Sequence, residues 1–316
     1  MEAGAGLFGS RARLLLRTRS IPFERMSRVR IGISGWTYGP WRGVFYPQAL
    51  AHKRELEYAS RHLNSIEING SFYSLQRPSS YQAWYAQTPG DFVLSVKGGR
   101  FITHMKRLRD VKVPLANFFA SGVLALNEKL GPILWQFPPN FRLDLPRFEE
   151  FFELLPRDTI AAAELARHHN HKLKSRAWTH ADRKRPIRYA IEIRHESFLD
   201  AAFLRLLRRH NIAFCFADSA GLWPYTEDVT ADFLYLRLHG AEELYASGYT
   251  EPALDWWSSR IRLWSKGKEP PDAKRVLDEP ARKRASRDVF VYFDNDVKVR
   301  APFDAMRLAQ KLGASK

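Results

Sequence analysis

The chain repeats one pattern eight times between residues 29 and 312: a short apolar run, a loop and a longer segment with apolar residues at helical spacing. The short runs are rich in β-branched and aromatic residues, which is typical of buried strands. Strands that alternate with helices lie parallel, because each helix returns the chain to the start of the next strand. The pattern therefore predicts an α/β fold, a (β/α)8 TIM barrel, with a doubly wound open sheet as the alternative.

The sixth unit has no clear helical spacing, so the sixth helix is predicted to be short or missing. The predicted strands are residues 29–34, 65–69, 92–97, 133–137, 212–217, 233–238 and 288–293, with the fifth strand inside residues 188–198. The predicted helices are residues 54–62, 81–87, 115–128, 146–155, 201–210, 254–264 and 303–312, with a further short helix at 161–167.

The fifth strand carries a charge pair in an otherwise apolar run. Glu192 and Arg194 are two residues apart, and strand side chains alternate between two faces, so both point to the same side. A buried charge is unfavourable unless it is paired. The space that these two side chains share is the predicted site.

The carboxyl ends of the strands carry the function of a TIM barrel. Alternation places the polar residues of these strands in the lumen, where carboxylates act as general bases and arginines bind a phosphate or carboxylate. The predicted catalytic residues are Glu67, Glu192 and His239, and the predicted substrate-binding residues are Trp36, Asn69, Tyr73, Lys97, Gln136, Arg194, Asp218, Arg237 and Asn295. The alternative is an ion-pair network that closes the barrel without chemistry.

A divalent metal is the less favoured hypothesis for a cofactor. Glu67, Glu192, Asp218, His239 and Asp294 carry the oxygen and imidazole groups that divalent ions bind. No pair of them has diagnostic spacing, and the arginines on the same strands compete for the carboxylates. The sequence therefore predicts no metal ligand and leaves the cofactor unknown.

Ten aromatic residues lie at or just after the predicted strand ends. Flat rings beside cationic groups suit nucleobases or sugars, because bases stack on them. Rings also fill the mouths of barrels, and that alternative stays open. The residues are Trp36, Tyr38, Trp41, Tyr46, Tyr73, Trp135, Trp223, Tyr225, Tyr245 and Tyr249.

The chain is strongly basic, with 50 Lys and Arg residues against 34 Asp and Glu residues and a formal net charge of +16. Such a surplus attracts polyanions or acidic surfaces. The basic residues are concentrated in residues 97–112, 167–188 and 266–287. A polyanion-binding surface follows only if these segments share one face, and the alternative is an ordinary basic surface.

The single cysteine, Cys215, excludes a disulfide framework and a multi-cysteine zinc site. Its position in an apolar strand indicates a small core residue. No apolar run is long enough to span a membrane. We expect a cytoplasmic protein that makes no membrane contact, and the oligomeric state stays unknown.

Residues 1–27 hold five arginines and a short leucine run, too short for a secretory signal, and Met26 lies just before the first strand. We interpret them as a disordered basic extension or a start-site artefact. Residues 28–316 are predicted to form one domain with basic excursions at 157–187 and 266–287.

A set of short motifs lies at the strand ends. They are Ile33-Ser-Gly-Trp36 with Trp41 and Phe45-Tyr-Pro47, Ile66-Glu-Ile-Asn69 with Ser71-Phe-Tyr73, Ser95-Val-Lys97 with Thr103-His104, Leu134-Trp-Gln-Phe-Pro-Pro139, Glu192-Ile-Arg-His195, Asp218, Tyr235-Leu-Arg-Leu-His-Gly240 and Tyr292-Phe-Asp-Asn295. Together they resemble the YecE-like family of uncharacterised proteins, the domain of unknown function 72, over residues 29–312.

The resemblance implies a TIM barrel without an established reaction. That fold is similar to the barrel of abasic-site endonucleases, and the similarity suggests a nucleic-acid role. This sequence lacks the dense set of His and carboxylate metal ligands of those enzymes.

Three functional hypotheses follow. The first is an enzyme, a hydrolase, lyase or isomerase, that acts on an anionic, phosphate-bearing or nucleotide-like substrate with Glu67 or Glu192 as base. The second is a nucleic-acid-binding protein without catalysis that uses the basic loops and the mouth aromatics. The third, least favoured, is a non-catalytic barrel that binds a protein partner.

Overall fold

The computed structural model of the protein describes Met1, residues 28–173 and residues 176–314. Eight parallel strands pair in chain order, and the last strand closes on the first. The strands are β1 (Val29–Ser34), β2 (Ser65–Ile68), β3 (Val93–Lys97), β4 (Leu130–Gln136), β5 (Tyr189–Glu192), β6 (Ala213–Asp218), β7 (Phe233–Leu238) and β8 (Asp288–Phe293). The predicted (β/α)8 barrel is confirmed, and the open sheet is excluded because β1 pairs with both β2 and β8.

The described residues form nine α-helices. They are α1 (Glu55–His62), α2 (Gly70–Tyr73), α3 (Pro78–Gln87), α4 (Lys112–Ala120), α5 (Leu145–Leu154), α6 (Thr159–Ala166), α7 (Ala201–His210), α8 (Glu251–Ser265) and α9 (Ala301–Leu312). Residues 219–232, between β6 and β7, contain no helix, as the sequence predicted.

The predicted helix at residues 115–128 is wrong in its second half. α4 ends at Ala120, and Gly122 has a φ of 119°, a conformation that glycine adopts without strain. The chain then continues as short 3₁₀ turns to Lys129. The short helix α2 was not predicted, because four residues are too few for a helical period to show.

Side chains cap the first turns of several helices. Asp144, Asp158, Asp200 and Thr250 accept hydrogen bonds from main-chain N–H groups at the starts of α5, α6, α7 and α8. Asn211 ends α7 in the left-handed conformation, which asparagine tolerates. These local signals set where each helix begins and ends between two strands.

Strand alternation separates the buried residues into two layers. Ile66, Ile68 and Ile191 belong to the large outer layer between the strands and the helices. A smaller apolar cluster, here called the lumen floor, consists of Leu134, Ala190, Ala213, Cys215, Ala231, Phe233, Tyr235, Phe290 and Tyr292. Cys215 is a buried free thiol in this cluster, as predicted. The floor separates the polar side chains at the carboxyl-terminal end of the lumen from Arg30 and its neighbours at the other end.

Two of the basic segments contact each other, and the third lies on another side of the barrel. Residues 157–187 contain α6, which packs on α4. Nζ of Lys172 in this segment lies 4.5 Å from the centroid of the Phe101 ring, so residues 157–187 and 97–112 are neighbours. Residues 266–287 lie against the connection between β6 and β7, and β7 stands opposite β3 in the closed barrel. The three segments therefore do not form one continuous surface.

Apart from Met1, the predicted extension at residues 1–27 lies outside the described residues. Among the described residues, no helix is long and apolar enough to cross a membrane.

β1 and β2 approach closely at Gly32. A Cβ atom added there would lie 1.8 Å from the carbonyl oxygen of Ser65. Gly32 pairs with Ser65, and Ser34 pairs with Glu67 two residues further along the same strands. Glycine at this position therefore sets the distance between two strands that carry polar residues into the lumen.

Replacing Gly32 by Ala should lower the free energy of unfolding by about 1–3 kcal/mol, because the added methyl group meets main-chain atoms that cannot move freely. Gly90 is the matched control, since a Cβ atom there meets nothing within 4 Å. Gly90→Ala should change the same quantity by less than about 0.5 kcal/mol. Urea denaturation of the two variants measures both effects, and equal effects would contradict the close-approach interpretation.

Candidate functional site

Arg237 on β7 is the centre of a buried ion cluster in the lumen. Its Nη1 donates to Oε2 of Glu192 at 2.8 Å, and its Nη2 donates to Oε1 of Glu67 at 3.0 Å. The same Nη2 donates to Oδ2 of Asp294 at 3.0 Å. Burial lowers the pKa of Arg237, but the carboxylates more than compensate and hold it above its usual value. The sequence prediction that these side chains meet in one space agrees with this geometry.

Glu67 is completely buried, and both of its carboxylate oxygens accept hydrogen bonds. Oε1 accepts from the Ser34 hydroxyl at 2.8 Å, in addition to Arg237. Oε2 accepts from the Tyr235 hydroxyl at 2.5 Å. The carboxylate thus joins β2 to β1 and β7 and has no exposed surface.

Glu192 is also completely buried. Its Oε1 accepts from Nε2 of Gln136 at 2.7 Å and from Nε of Arg194 at 3.2 Å. Burial raises the pKa of Glu192, but the positive charges of Arg237 and Arg194 outweigh that effect and hold the pKa well below its usual value. Glu192 is therefore an ionised anchor for two arginines.

His239 lies beside Asp294 on the next strand. Its Nδ1 is 3.0 Å from Oδ2 of Asp294, and its Nε2 is 3.9 Å from Oε1 of Glu192. Burial raises the pKa of Asp294, but Arg237 and His239 lower it to about 2. Among the described residues, neither ring nitrogen of His239 makes a hydrogen bond. The ring is completely buried and lies against the carboxylate of Asp294.

Arg194 forms the outer edge of the cluster. Its guanidinium stacks on the ring of Trp223 at 3.6 Å, and its Nη2 donates to the hydroxyl of Tyr245 at 3.2 Å. The side chain is 15% exposed, in contrast to the completely buried Arg237. Arg194 therefore presents a positively charged, pre-oriented surface to the mouth of the lumen.

Lys97, at the end of β3, is only 8% exposed. Its Nζ lies 4.5 Å from the centroid of the Phe72 ring, and within the described residues it makes no hydrogen bond or ion pair. Burial, followed by the positive charge of Arg237, lowers the pKa of Lys97 to about 8. Lys97 is thus a partly deprotonated amine at neutral pH.

Two titratable groups at the mouth were not among the predicted site residues. Burial, and then the charge of Lys97, lowers the pKa of His104 to about 4. Burial, and then the charge of Asp294, raises the pKa of Asp296 to about 6. His104 belongs to a motif of the resemblance, but Asp296 carries no sequence signal beyond its position just after β8.

Two predicted binding residues lie outside the lumen. Asp218 accepts from the hydroxyl of Tyr249 at 2.9 Å and lines a separate cavity of about 250 Å³ on the helix side of β6. Asn295 donates to Oδ2 of Asp304 at 2.8 Å and holds the loop after β8. Both residues lie at positions whose side chains point toward the helices rather than into the lumen. The prediction that they bind substrate in the lumen did not take this alternation into account.

Three of the predicted binding residues, Trp36, Asn69 and Tyr73, lie at the rim. Trp36 and Asn69 line a cavity of about 290 Å³ together with Trp84. Tyr73 is 65% exposed, and the guanidinium of Arg100 lies 5.4 Å from its ring.

Trp135 was grouped with the mouth aromatics, and this prediction is wrong. Its side chain is completely buried in the outer layer, where it packs against Phe118 and Phe151. Trp135 and Gln136 are neighbours on β4, so only one of them can face the lumen. Gln136 does so, through its contact with Glu192.

Among the described residues, no group of three or more His, Cys, Asp or Glu side chains is arranged to hold a metal ion. The carboxylates in the lumen instead accept hydrogen bonds from Arg237 and its neighbours. The cluster therefore offers charge–charge and proton-transfer chemistry through its own side chains.

The loops at the mouth contain unusual backbone. Residues Phe101–Met105, after β3, form a π-helical turn, a feature that is frequent at functional sites. Arg107, Leu108 and Asp110 in the same loop and Tyr245 after β7 have positive φ values. Such conformations are unfavourable for bulky residues and persist only where the surroundings impose them.

Replacing Arg237 by Met should lower the free energy of unfolding by about 3–5 kcal/mol, because it leaves buried carboxylates without their cation. The matched control is Arg205→Met, since Arg205 pairs with Glu279 at 2.8 Å but both side chains are about half exposed. Loss of that pair should cost less than about 1 kcal/mol. Urea denaturation compares them, and a small effect at Arg237 would mean that the cluster does not hold the barrel together.

The low pKa of Lys97 predicts a pH-dependent stability. Between pH 8 and 10.5 the folded protein binds fewer protons at Lys97 than the unfolded chain. The stability of the wild type relative to Lys97→Met should therefore rise with pH through this window, by up to about 3 kcal/mol. Denaturation of both proteins at several pH values measures the difference, and a flat or falling difference would contradict the lowered pKa.

Comparisons with known proteins agree with this architecture. The model of the family described as "Protein of unknown function DUF72" matches residues 30–316. The chain is 30% identical over 118 residues to UPF0759 protein YunF of Bacillus subtilis and 28% identical over 129 residues to UPF0759 protein YecE of Escherichia coli K12. These alignments cover 36% and 40% of this chain and 41% and 44% of the relatives. The chain thus spans less than half the length of the curated relatives it matches.

Two solved structures share the fold. A DUF72 family protein from Thermotoga maritima superimposes with a TM-score of 0.67 at 24% identity, covering 90% of this chain and 99% of that protein. A DUF72 family protein from Enterococcus faecalis superimposes with a TM-score of 0.64 at 16% identity, covering 91% and 96%. At these identities the likeness shows the barrel alone.

Proposed function

This chain belongs to the family of proteins of unknown function DUF72, and we propose that it is an enzyme that acts on a small anionic substrate at the carboxyl ends of its strands. The observation that carries the proposal is the pair of cationic side chains, Lys97 and Arg194, at the mouth of the lumen beside the Arg237 cluster. Arg194 is held in one orientation by Trp223, Tyr245 and Glu192. A pre-oriented guanidinium suits a carboxylate or phosphate, which it binds through two parallel hydrogen bonds.

The loop after β3 adds to this positive field. Arg100 lies over the ring of Tyr73, and Arg107 donates to the carbonyl oxygen of Asn140 at 2.9 Å. Neither arginine pairs with an acidic side chain among the described residues. These charges lie near the end of the lumen that carries Lys97, so they would attract an anion toward it.

The same site provides a group for proton transfer. Asp294 is 13% exposed, whereas His239 beside it has no exposed surface. In this proposal Asp294 exchanges a proton with the substrate, and His239 positions Asp294. Glu67 and Glu192, which were predicted as catalytic bases, act instead by holding Arg237, Arg194 and His239 in position, because neither carboxylate has exposed surface.

The nucleic-acid hypothesis receives less support. Residues 97–112 and residues 266–287 lie on opposite sides of the barrel, so they do not provide a continuous track for a phosphate backbone. The expectation of a cytoplasmic protein rests on Cys215 alone and stays part of the proposal.

Thermal denaturation with added ligands tests the proposal. Inorganic phosphate, pyruvate and phosphoglycolate should each be compared with glycerol, an uncharged control. An anion that binds at the site should raise the Tm of the wild type by several degrees at about 100 times its Kd. Arg194→Gln should lose most of this shift, because it removes the oriented guanidinium.

Arg205→Gln is the matched control, since Arg205 lies on α7, is about half exposed and pairs with Glu279. It should retain the full shift. An equal shift in Arg194→Gln, or no shift with any anion, would overturn the proposal. Tight oligonucleotide binding with a steep salt dependence would favour the second hypothesis instead.

A further inference from the structure

Two lysines are buried in the barrel, and their surroundings differ. Nζ of Lys129 donates to the carbonyl oxygens of Tyr85 and Thr88, each at 2.7 Å. Lys97 is buried to a similar degree but, within the described residues, its Nζ has no hydrogen-bond acceptor and no ion pair. A buried ammonium group without a hydrogen-bond acceptor is destabilising, and the contact of Nζ with the Phe72 ring offsets this only in part.

The surroundings of Lys97 favour the neutral amine. Burial and the positive charge of Arg237 oppose the charged form, whereas the face of the Phe72 ring, whose centroid is 4.5 Å from Nζ, favours that form to a smaller extent. The carboxylates Glu192, Glu67 and Asp294 act in the opposite direction but are already neutralised in part by Arg237. With a pKa of about 8, about a quarter of the Lys97 amines are unprotonated at about pH 7.5, against about one in a thousand for an ordinary lysine.

We propose that Lys97 is a nucleophile that forms a Schiff base with a small aldehyde or ketone carrying a carboxylate or phosphate group. This inference rests on the proposed function and names its reaction class. Desolvated lysines at active sites commonly serve in this way. Arg194 binds the anionic end of the substrate, and the carbonyl carbon is placed at Nζ of Lys97.

The step uses only the amine and the carbonyl compound. The unprotonated Nζ attacks the carbonyl carbon, a C–N bond forms, and the π electrons of the C=O bond move to oxygen. The two amine protons are transferred to that oxygen, which leaves as water, and a C=N bond remains. His104, which contacts the same Phe72 ring at 5.1 Å and stays unprotonated at neutral pH, is placed to relay these protons.

Borohydride trapping tests the proposal on the full-length protein. The protein is incubated at about pH 7.5 with pyruvate, glyoxylate or glycolaldehyde phosphate, and with propanal as the uncharged control, and is then reduced with sodium borohydride. Reduction of the imine adds the mass of the carbonyl compound less one oxygen atom. Peptide mapping should place this adduct on Lys97 at least about tenfold more than on any other lysine, given its larger unprotonated fraction.

Lys129 is the internal control in the same digest, because it is also buried but is bound to carbonyl oxygens. Lys97→Arg should abolish the adduct. Arg194→Gln should lower trapping of the anionic compounds and leave trapping of propanal unchanged.

The outcomes separate this inference from the proposed function. A rise in Tm with anions but no adduct at Lys97 with any carbonyl compound would overturn the Schiff-base role and leave the anion site standing. An adduct at Lys97 with propanal and the anions alike, without any anion-induced shift, would support the amine and overturn the anion site. Equal labelling of Lys97 and the exposed lysines would overturn the inference on its own, without recourse to a variant.

Discussion

The contact between Arg237 and its three carboxylates organises the carboxyl-terminal half of the lumen. Glu67, Glu192 and Asp294 come from β2, β5 and the end of β8, so one guanidinium joins distant parts of a closed sheet. Each of these carboxylates also contacts a further side chain on a neighbouring strand. The barrel is closed by main-chain pairing, but the orientation of its polar residues depends on this one cation.

Much of the fold follows from residue patterns that act locally. The eight apolar runs and the helices between them were predictable, because strand and helix periods differ and parallel strands require crossovers. The end of α4 at Ala120 was not, since the left-handed turn at Gly122 interrupts an apolar run that continues in sequence. A glycine inside an apolar run shows only that such a turn is allowed.

The site was predictable to the extent that strand parity decides direction. Glu67, Glu192 and Arg237 point into the lumen as alternation requires, whereas Asp218 and Asn295 lie one position out of phase and point to the helices. What sequence alone does not provide is the matching of donors and acceptors. Glu192 accepts from two arginines, whereas Lys97 has no hydrogen-bond acceptor in the part of the chain that the structure describes. This difference depends on distances across the lumen, which the spacing of residues along the chain does not determine.

The lumen floor limits the direction from which a molecule can reach the ion cluster. Phe233, Phe290 and the paired tyrosines Tyr235 and Tyr292 fill the barrel below the ion cluster, and Tyr292 is fastened there by hydroxyl contacts of 2.7 Å to Ser65 and Ser95. The floor closes the lumen below Arg237, so a molecule can reach the ion cluster only from the carboxyl-terminal ends of the strands. Under the proposed function, substrate and product would share this one approach, so a product bound at Arg194 would exclude the next substrate.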